Sequence, residues 1–530
     1  MSHPIRHLLE TLWVLSFLLI LECSGEARGE QDKNQLTLLI TSDLHGWLST
    51  SNLYPRQKSK GLLHLEQAIR KARLEDPDAI LLDAGDLLLG SPLALYYNTI
   101  AKNPAFTNPF FQLVKDLRYD AIVVGNHDLE LNPLFERHYV PASNFTWLAA
   151  NLNKTSPSPF VPYLILRRKG LKIAILGLTT PGVMMWLDPK KWAHFQVTSL
   201  SQSINKWVSL IRKQEKPDLL IGIFHVGWNV LRDDENSKLN QIPAANGLIS
   251  ALNKAPPFDL LISGHDHRLF PSRDGQPLTY FKSTPIIGAG YWGEALVRLR
   301  LKIHEGQIIQ IRHQIFRASQ DASIKQQYQE ILSPAYRSFL YEKLPWKITT
   351  TDKKQLKECL SKLNAIAHLE GVDMGSLFPP PRVKRIRAFL GKQLNRAFFL
   401  EWFRYDNKSM TIYLSKRDLQ LLQTPQSHSN RRRIPYNRVL YPFYRSFPLP
   451  IDYRRTSWWL NKEIFLRRFQ IKISDYHFNG GGGLRGIIFW SSQTPIQISQ
   501  IGMRERLFQF LKRPHRPLPP ICDFLKPMPL

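Results

Sequence analysis

The stretch Val123-Val-Gly-Asn-His-Asp128 decides how this chain is read. It closes a short apolar run, Asp120-Ala-Ile-Val-Val124, with the composition of a buried strand, and Gly125 marks the turn that ends it. An Asn, a His and an acid placed there sit at the carboxyl end of a strand, where open α/β sheets bind their ligands. Alone, Gly-Asn-His-Asp suits an ordinary polar turn equally well. Four further places repeat the pattern of an apolar run followed by Asp or His: Asp43-Leu-His45, Gly85-Asp86, His225 and Gly264-His-Asp-His267. Five strand ends supplying only Asp, Asn and His point to a metal site rather than to five unrelated turns.

Outward from that turn, the runs 36–41, 79–83, 172–178, 219–225 and 260–263 read as further buried strands. Helical spacing lies between them at 61–75, where Leu62, Leu65, Ile69 and Ala72 recur, and at 109–117 and 200–213. The runs 286–290, 294–302 and 307–313 alternate more like antiparallel strands. Strands and helices interleaved in this way predict a layered α/β domain over 36–315. Residues 323–341 carry a helical period and are expected to form a linker helix within 316–345. A second, smaller α/β or α+β domain is expected over 346–530, with a helix at 354–369 and strands at 410–414 and 469–473. The run Gly480-Gly-Gly-Gly483 is either a flexible turn or a close-approach ligand loop.

At 530 residues the chain is too long for one core, in keeping with two domains. Its formal charge of +28 is uneven: from Trp346 onward there are 33 Lys and Arg against 12 Asp and Glu. That field suits anionic substrates or acidic surfaces, although a solvated face would carry it too. Residues 1–25 read as a signal peptide, with His3, Arg6 and His7 ahead of an apolar core at 12–21 and the small residues Cys23-Ser-Gly25. The core is too short for a membrane span, so export to a periplasmic or extracellular compartment is expected, with no transmembrane span in the mature form. A lipid anchor at Cys23 is the lesser alternative, because Glu22 precedes it. Cys359 and Cys522 could pair in such a compartment, and they form no zinc pattern.

Carboxylate and imidazole ligands hold divalent ions, and one bridging carboxylate can hold two of them about 3.5–4 Å apart. Asp43 and His45, two residues apart, suit one ion, and Asp86 is placed to bridge. Asn126 can give its carbonyl oxygen to the second ion without adding charge. His225, His265 and His267 complete two sets of four. A paired site of this kind activates a bound water, orients a phosphate oxygen and stabilises in-line displacement. His127 is then free to protonate the leaving oxygen, with Asp128 or Glu130 to orient it. The alternative for any one of these histidines is a core or surface residue.

The series Asp43-Leu-His-Gly46, Gly85-Asp86, Gly125-Asn-His-Asp128, His225 and Gly264-His-Asp-His267 resembles the calcineurin-like metallophosphoesterases of the exported 5′-nucleotidase group. Within that group it looks most like the bacterial periplasmic 2′,3′-cyclic-nucleotide 2′-phosphodiesterase/3′-nucleotidases. Three stretches carry the narrower match: Gly85-Asp-Leu-Leu-Leu-Gly-Ser-Pro-Leu93, Gly177-Leu-Thr-Thr-Pro-Gly182 running to Met185-Trp186, and Gly264-His-Asp-His-Arg-Leu-Phe-Pro271.

The resemblance implies a layered α/β/β/α sandwich plus a smaller C-terminal α/β substrate-binding domain of the nucleotidase type. It implies one metal on Asp43, His45, Asp86 and His267, and a second on Asp86, Asn126, His225 and His265, with His127 as general acid and Glu130 in the place of its partner. The ions could be Mn, Zn, Co or Fe. The C-terminal domain would stack the base between two aromatics, an interaction worth about 1–3 kcal/mol per base. Tyr405 and Tyr476 fall near the matching loops, and Arg382 stands near the place of a phosphate contact; the group's Gly-Gly-Arg segment is not evident. The expected activity is hydrolysis of 2′,3′-cyclic nucleotides or nucleoside monophosphates by a monomer. Nucleotide sugars or other phosphoesters, and a surface-binding protein with vestigial catalysis, are the alternatives. The familiar nucleic-acid modules are missing from the sequence.

Overall fold

In the computed structural model the described residues are 35–50 and 59–349, apart from 102, 155–156, 188, 228–247 and 254. Beyond 349 they are positions 352, 355, 359 and 511–512 with six short strands. The strands up to residue 317 are, in chain order, β1 Gln35–Thr41, β2 Ile80–Asp83, β3 Ala121–Val123, β4 Thr146–Leu148, β5 Leu152–Asn153, β6 Tyr163–Arg168, β7 Leu171–Thr179 and β8 Gln196–Val197. They continue as β9 Leu219–His225, β10 Leu260–Ser263, β11 Leu269–Phe270, β12 Thr279–Phe281, β13 Thr284–Ala289, β14 Ala295–His304 and β15 Gln307–Arg317. One sheet has the order β15-β14-β1-β2-β3-β4, and the other runs β11-β13-β10-β9-β7-β6.

The central strands β1 to β4 are mutually parallel, as are β7, β9, β10 and β13. Parallel strands buried on both faces need apolar residues at every position, which is why they read as unbroken runs. In β1, Leu36, Leu38 and Ile40 point into a shared core with Ile173, Ile221 and Ile262 of the second sheet. Leu39 faces the other way, with Leu81 and Ile122, onto helices Glu66–Glu75 and Pro109–Asp116. The far face of the second sheet packs Ala174, Leu176 and Leu220 against Leu200, Ile204 and Val208 of helix Leu200–Leu210. Each large side chain fully buried this way contributes about 1.5–3 kcal/mol. The result is the expected layering of helix, sheet, sheet and helix.

Two local expectations differ from the structure. The run at 286–290 belongs to β13, which pairs parallel with β10 and antiparallel only with the short β11 and β12; β14 and β15 are antiparallel as read. The single helix expected over 323–341 is two, Ala322–Ile331 and Pro334–Leu340. Pro334 lacks the N–H that would continue the first helix, and the Ser333 hydroxyl caps the second by accepting from the Tyr336 N–H at 3.1 Å. Both helices bury Ile324, Tyr328, Tyr336 and Leu340 in the core outside the first sheet.

Beyond residue 342 the described strands make two more sheets. β16 Lys343–Ile348 lies between β18 Gln393–Asn395 and β22 Leu525–Pro527, and β17 Ser376–Leu377, β19 Lys408–Leu414, β20 Phe469–Ser474 and β21 Gln497–Gly502 take the order β17-β20-β19-β21. The expected strands at 410–414 and 469–473 are thus paired, antiparallel, with Ile412 opposite Ile471. Of the helix expected at 354–369, positions 355 and 359 are described and helical. Cys359 is buried and disulfide-bonded, and its partner lies outside the described residues. Residues 1–25 with Cys23, the Gly480–Gly483 run, Cys522, Arg382, Tyr405 and Tyr476 also lie outside them. Among the described residues no helix is long and apolar enough to cross a membrane.

Candidate metal centre

The parallel strands of both sheets deliver their carboxyl ends to one place. Asp43 and His45 follow β1, Asp86 follows β2, Asn126 follows β3, His225 ends β9, and His265 and His267 follow β10. Two triads of possible metal-holding groups form there, Asp43–His45–His267 and Asp86–His225–His265. In the first, His267 Nε2 is 3.0 Å from His45 Nε2 and 3.3 Å from Asp43 Oδ1. In the second, His225 Nε2 is 3.2 Å from both Asp86 Oδ2 and Asn126 Oδ1. Asp86 Oδ2 also lies 3.8 Å from His45 Nε2, so one carboxylate oxygen reaches both sets.

The donor set fits divalent ions. Two imidazole nitrogens each about 2.1 Å from one ion stand roughly 3–3.4 Å apart, and His45 Nε2 and His267 Nε2 are 3.0 Å apart. Carbonyl acceptors fix the tautomers: His45 Nδ1–H donates to the Leu89 carbonyl at 2.7 Å and His225 Nδ1–H to the Ala84 carbonyl at 2.8 Å. Both Nε2 lone pairs are therefore turned into the site. Burial pushes His45 and His265 down to about 3, so both are neutral ligands at any ordinary pH. Burial also opposes charge on His225, but the Asp86 carboxylate outweighs it and raises the group to about 10. An ion entering there displaces that proton.

The backbone is shaped for this purpose. Asp43, His45, Asp86, His265 and His267 all have positive φ, between 49° and 77°. For residues other than glycine that region costs roughly 1–3 kcal/mol each and is held only when surrounding contacts over-determine it. Those contacts are present: Asp43 N–H donates to the Gly85 carbonyl at 3.0 Å, His45 N–H to the Asp86 carbonyl at 2.8 Å, and His265 N–H to Asp43 Oδ2 at 3.1 Å. Gly125 leaves room for the neighbouring loop, since a Cβ there would fall 2.1 Å from Asp86 Oδ1.

His127 is the second residue of the short helix Asn126–Glu130, beside the triads. Its backbone N–H donates to Asp86 Oδ1 at 2.8 Å and its Nδ1 meets Glu130 Oε2 at 2.8 Å. Burial opposes a charge on His127, yet Asp86 and Glu130 raise it to about 9. Of the two acids expected to orient this ring, the geometry gives the place to Glu130. Asp128 is fully buried and accepts instead from the backbone N–H groups of Gly125 at 3.0 Å, Leu88 at 2.9 Å and Leu87 at 3.3 Å. It ties the β2 and β3 loops together, whereas the expectation was that it could orient His127.

Several contributors were not read from the sequence. Ser42 donates its hydroxyl to Asp43 Oδ2, and the Tyr291 ring stacks on His267 with 5.0 Å between centroids and 8° between planes. The aromatic pair Tyr291-Trp292 bracketed by Gly290 and Gly293 was the available signal for the second. The Leu89 and Ala84 carbonyls have none, because any residue supplies a carbonyl.

Comparison with known proteins bears on the family and the fold. Residues 36–269 match the family model for calcineurin-like phosphoesterases. Over 324 residues the chain is 26% identical to the trifunctional nucleotide phosphoesterase protein YfkN of Bacillus subtilis, covering 57% of this chain and 22% of that protein. Over 306 residues it is 27% identical to the 2′,3′-cyclic-nucleotide 2′-phosphodiesterase/3′-nucleotidase of Yersinia enterocolitica, covering 54% and 45% of the two. The chain thus spans less than half the length of these relatives. The solved 5′-nucleotidase precursor of Thermus thermophilus shares the fold, with a TM-score of 0.61 over 90% of this chain and 96% of that one at 16% identity.

Proposed function

From a chain that carries a calcineurin-like phosphoesterase domain over residues 36–269, we infer that this protein is an exported dinuclear-metal hydrolase of nucleotide phosphoesters, acting on 2′,3′-cyclic nucleotides or nucleoside monophosphates. The observation that carries the reading is the pair of triads around Asp86, with the His127 imidazole beside them. Asp43, His45, Asp86 and His267 would hold one ion, and Asp86, Asn126, His225 and His265 the other. When bound, such a pair activates water and neutralises charge developing on a phosphoryl group. The protein supplies the rest. Buried Asp43 and Asp86 concentrate negative charge where cations are needed, and the strained loops hold the donors so that little reorganisation remains. His127, with Nδ1 held by Glu130, presents Nε2 as the acid that protonates the leaving oxygen.

Substrate selection is assigned to the region 346–530, following a linker at 316–345, with Tyr405 and Tyr476 stacking on the base and Arg382 touching phosphate. The reading treats the protein as a monomer, delivered by the leader at 1–25 to the periplasm or the cell exterior. The test is hydrolysis of 2′,3′-cyclic AMP, 3′-AMP, 5′-AMP, a UDP-sugar and bis-p-nitrophenyl phosphate with Mn²⁺ and with EDTA. Metal-dependent turnover concentrated on cyclic and 3′ substrates is expected. Turnover of the artificial diester alone would discard the nucleotide assignment and keep the metal centre.

A further inference from the structure

His267 is one of the two partly exposed members of the donor set, the other being His265 of the second triad. Its side chain is 18% exposed, against 1% for His45 and none for His225. His45 and His225 are locked by carbonyls, whereas His267 Nδ1 has no hydrogen-bond partner among the described residues. A ring takes that place: Tyr291 lies flat against it. Tyr291 is itself held, with Lys60 Nζ over its ring at 4.0 Å, and that ammonium is tied to Glu294 Oε2 at 2.5 Å.

The turn that carries Tyr291 is the chain's passage from the second sheet to the first, between β13 and β14. It is fastened to both. Gly290 N–H donates to the Arg268 carbonyl at 3.0 Å, one residue past His267, and Trp292 N–H donates to the Asp43 carbonyl at 2.8 Å. Trp292 also packs on Trp47 with 4.7 Å between ring centroids. Glycine suits both flanks: Gly290 has φ +78°, and at Gly293, φ +64°, a Cβ would also meet the Gly61 backbone at 2.6 Å. The ligands Asp43 and His45 come from the first sheet and His267 from the second, so the turn spans the seam that this ion must bridge.

We propose that Tyr291, clamped by Lys60 and Glu294, is the positioning residue for His267 and thereby sets the affinity of the Asp43–His45–His267 site for its divalent ion, leaving the Asp86–His225–His265 site unaffected. The proposal rests on the metal-centre reading above. A stacked ring fixes the plane of the imidazole while leaving Nε2 free, which a carbonyl does elsewhere through Nδ1.

The experiment is titration of the metal-free full chain with Mn²⁺, read by calorimetry and by metal content. Wild type is expected to take two ions per chain. Tyr291→Leu should weaken one of them about 10–100-fold, the range for losing an outer-shell partner, and Tyr291→Phe, which keeps the stack, should behave as wild type. Lys60→Met should give a smaller loss at the same ion. Two backgrounds assign the site. Beside His225→Ala the Leu exchange should loosen the remaining ion, and beside His45→Ala it should change nothing. A folded Tyr291→Leu protein, verified by circular dichroism, that binds both ions as wild type does would overturn the proposal, as would equal loss of both. Should that variant fail to fold, Lys60→Met decides: unchanged binding of both ions overturns it. A wild-type chain that takes no ion would instead overturn the metal reading itself.

Discussion

The two ligand sets use the same atoms and are built differently. Around Asp86, the carboxylate and His225 are buried while His265 is partly exposed, and the His225 imidazole is locked by a backbone carbonyl. Around Asp43, two donors are likewise buried, and the partly exposed third, His267, is backed by the Tyr291 ring. The difference teaches that donor chemistry alone does not set how firmly each ion is held. What surrounds the donor matters as much, and here the two halves differ in what backs the partly exposed histidine.

The exchange that should erase the distinction is Asp86→Asn, because Asp86 is the one side chain reaching both halves. Metal content measured on the purified protein should fall from two ions per chain to fewer than one. Turnover of bis-p-nitrophenyl phosphate should drop by at least about 10⁴-fold, about 5.4 kcal/mol in the barrier. His127→Ala should separate acid catalysis from metal holding: kcat falls by about 10²–10⁴-fold while metal content is unchanged. Loss of ions in that variant would mean that His127 belongs to the ligand set. The Asp43 and Asp86 halves should also empty at different rates. Under EDTA, metal content followed with time should show one ion leaving at least about tenfold faster than the other, an effect of outer-shell support. A single phase would make the difference irrelevant.

The smallest expected effect concerns protonation. Asp86 and Glu130 raise His127 above an ordinary imidazole, to about 9 in the protein without its ions. The acid form donates the proton, so activity persists below that pKa and falls as pH rises through it. Removing the Glu130 charge lowers the pKa. In Glu130→Gln the basic limb of the kcat profile should therefore move to lower pH with metal content intact; a limb that stays put assigns the titration to another group.

Most of the first sheet was legible because each parallel strand is a short apolar run closed by a polar tip. Leu36 to Thr41 and Leu219 to His225 could be read almost to the residue. The site was legible for the same reason, since Asp, Asn and His at the ends of buried strands have no other common use. Legibility failed where partners are not local. That β13 joins β10 in parallel depends on the long excursion through β11 and β12, and nothing in Thr284 to Ala289 records it. The choice between Asp128 and Glu130 turned on which face of one helical turn meets the β2 loop, a matter of three-dimensional packing. By contrast, the break between the helices ending at Ile331 and starting at Pro334 was written in Ser333-Pro334, because proline cannot continue a helix it does not begin.

The left-handed backbone at five of the seven ligand positions also bears on how such a chain would change over generations. Glycine sits in that region freely, asparagine, aspartate and histidine are the side chains found there most often, and β-branched residues are genuine outliers. If His45, His265 and His267 are the ligands, the need for an imidazole would hold them where glycine would be conformationally easier. Once selection for hydrolysis lapsed, those three positions would be freed first, and local conformation would decide what replaced them. A descendant that had abandoned its chemistry would announce it through glycine or asparagine at the histidine positions, in a sandwich otherwise intact.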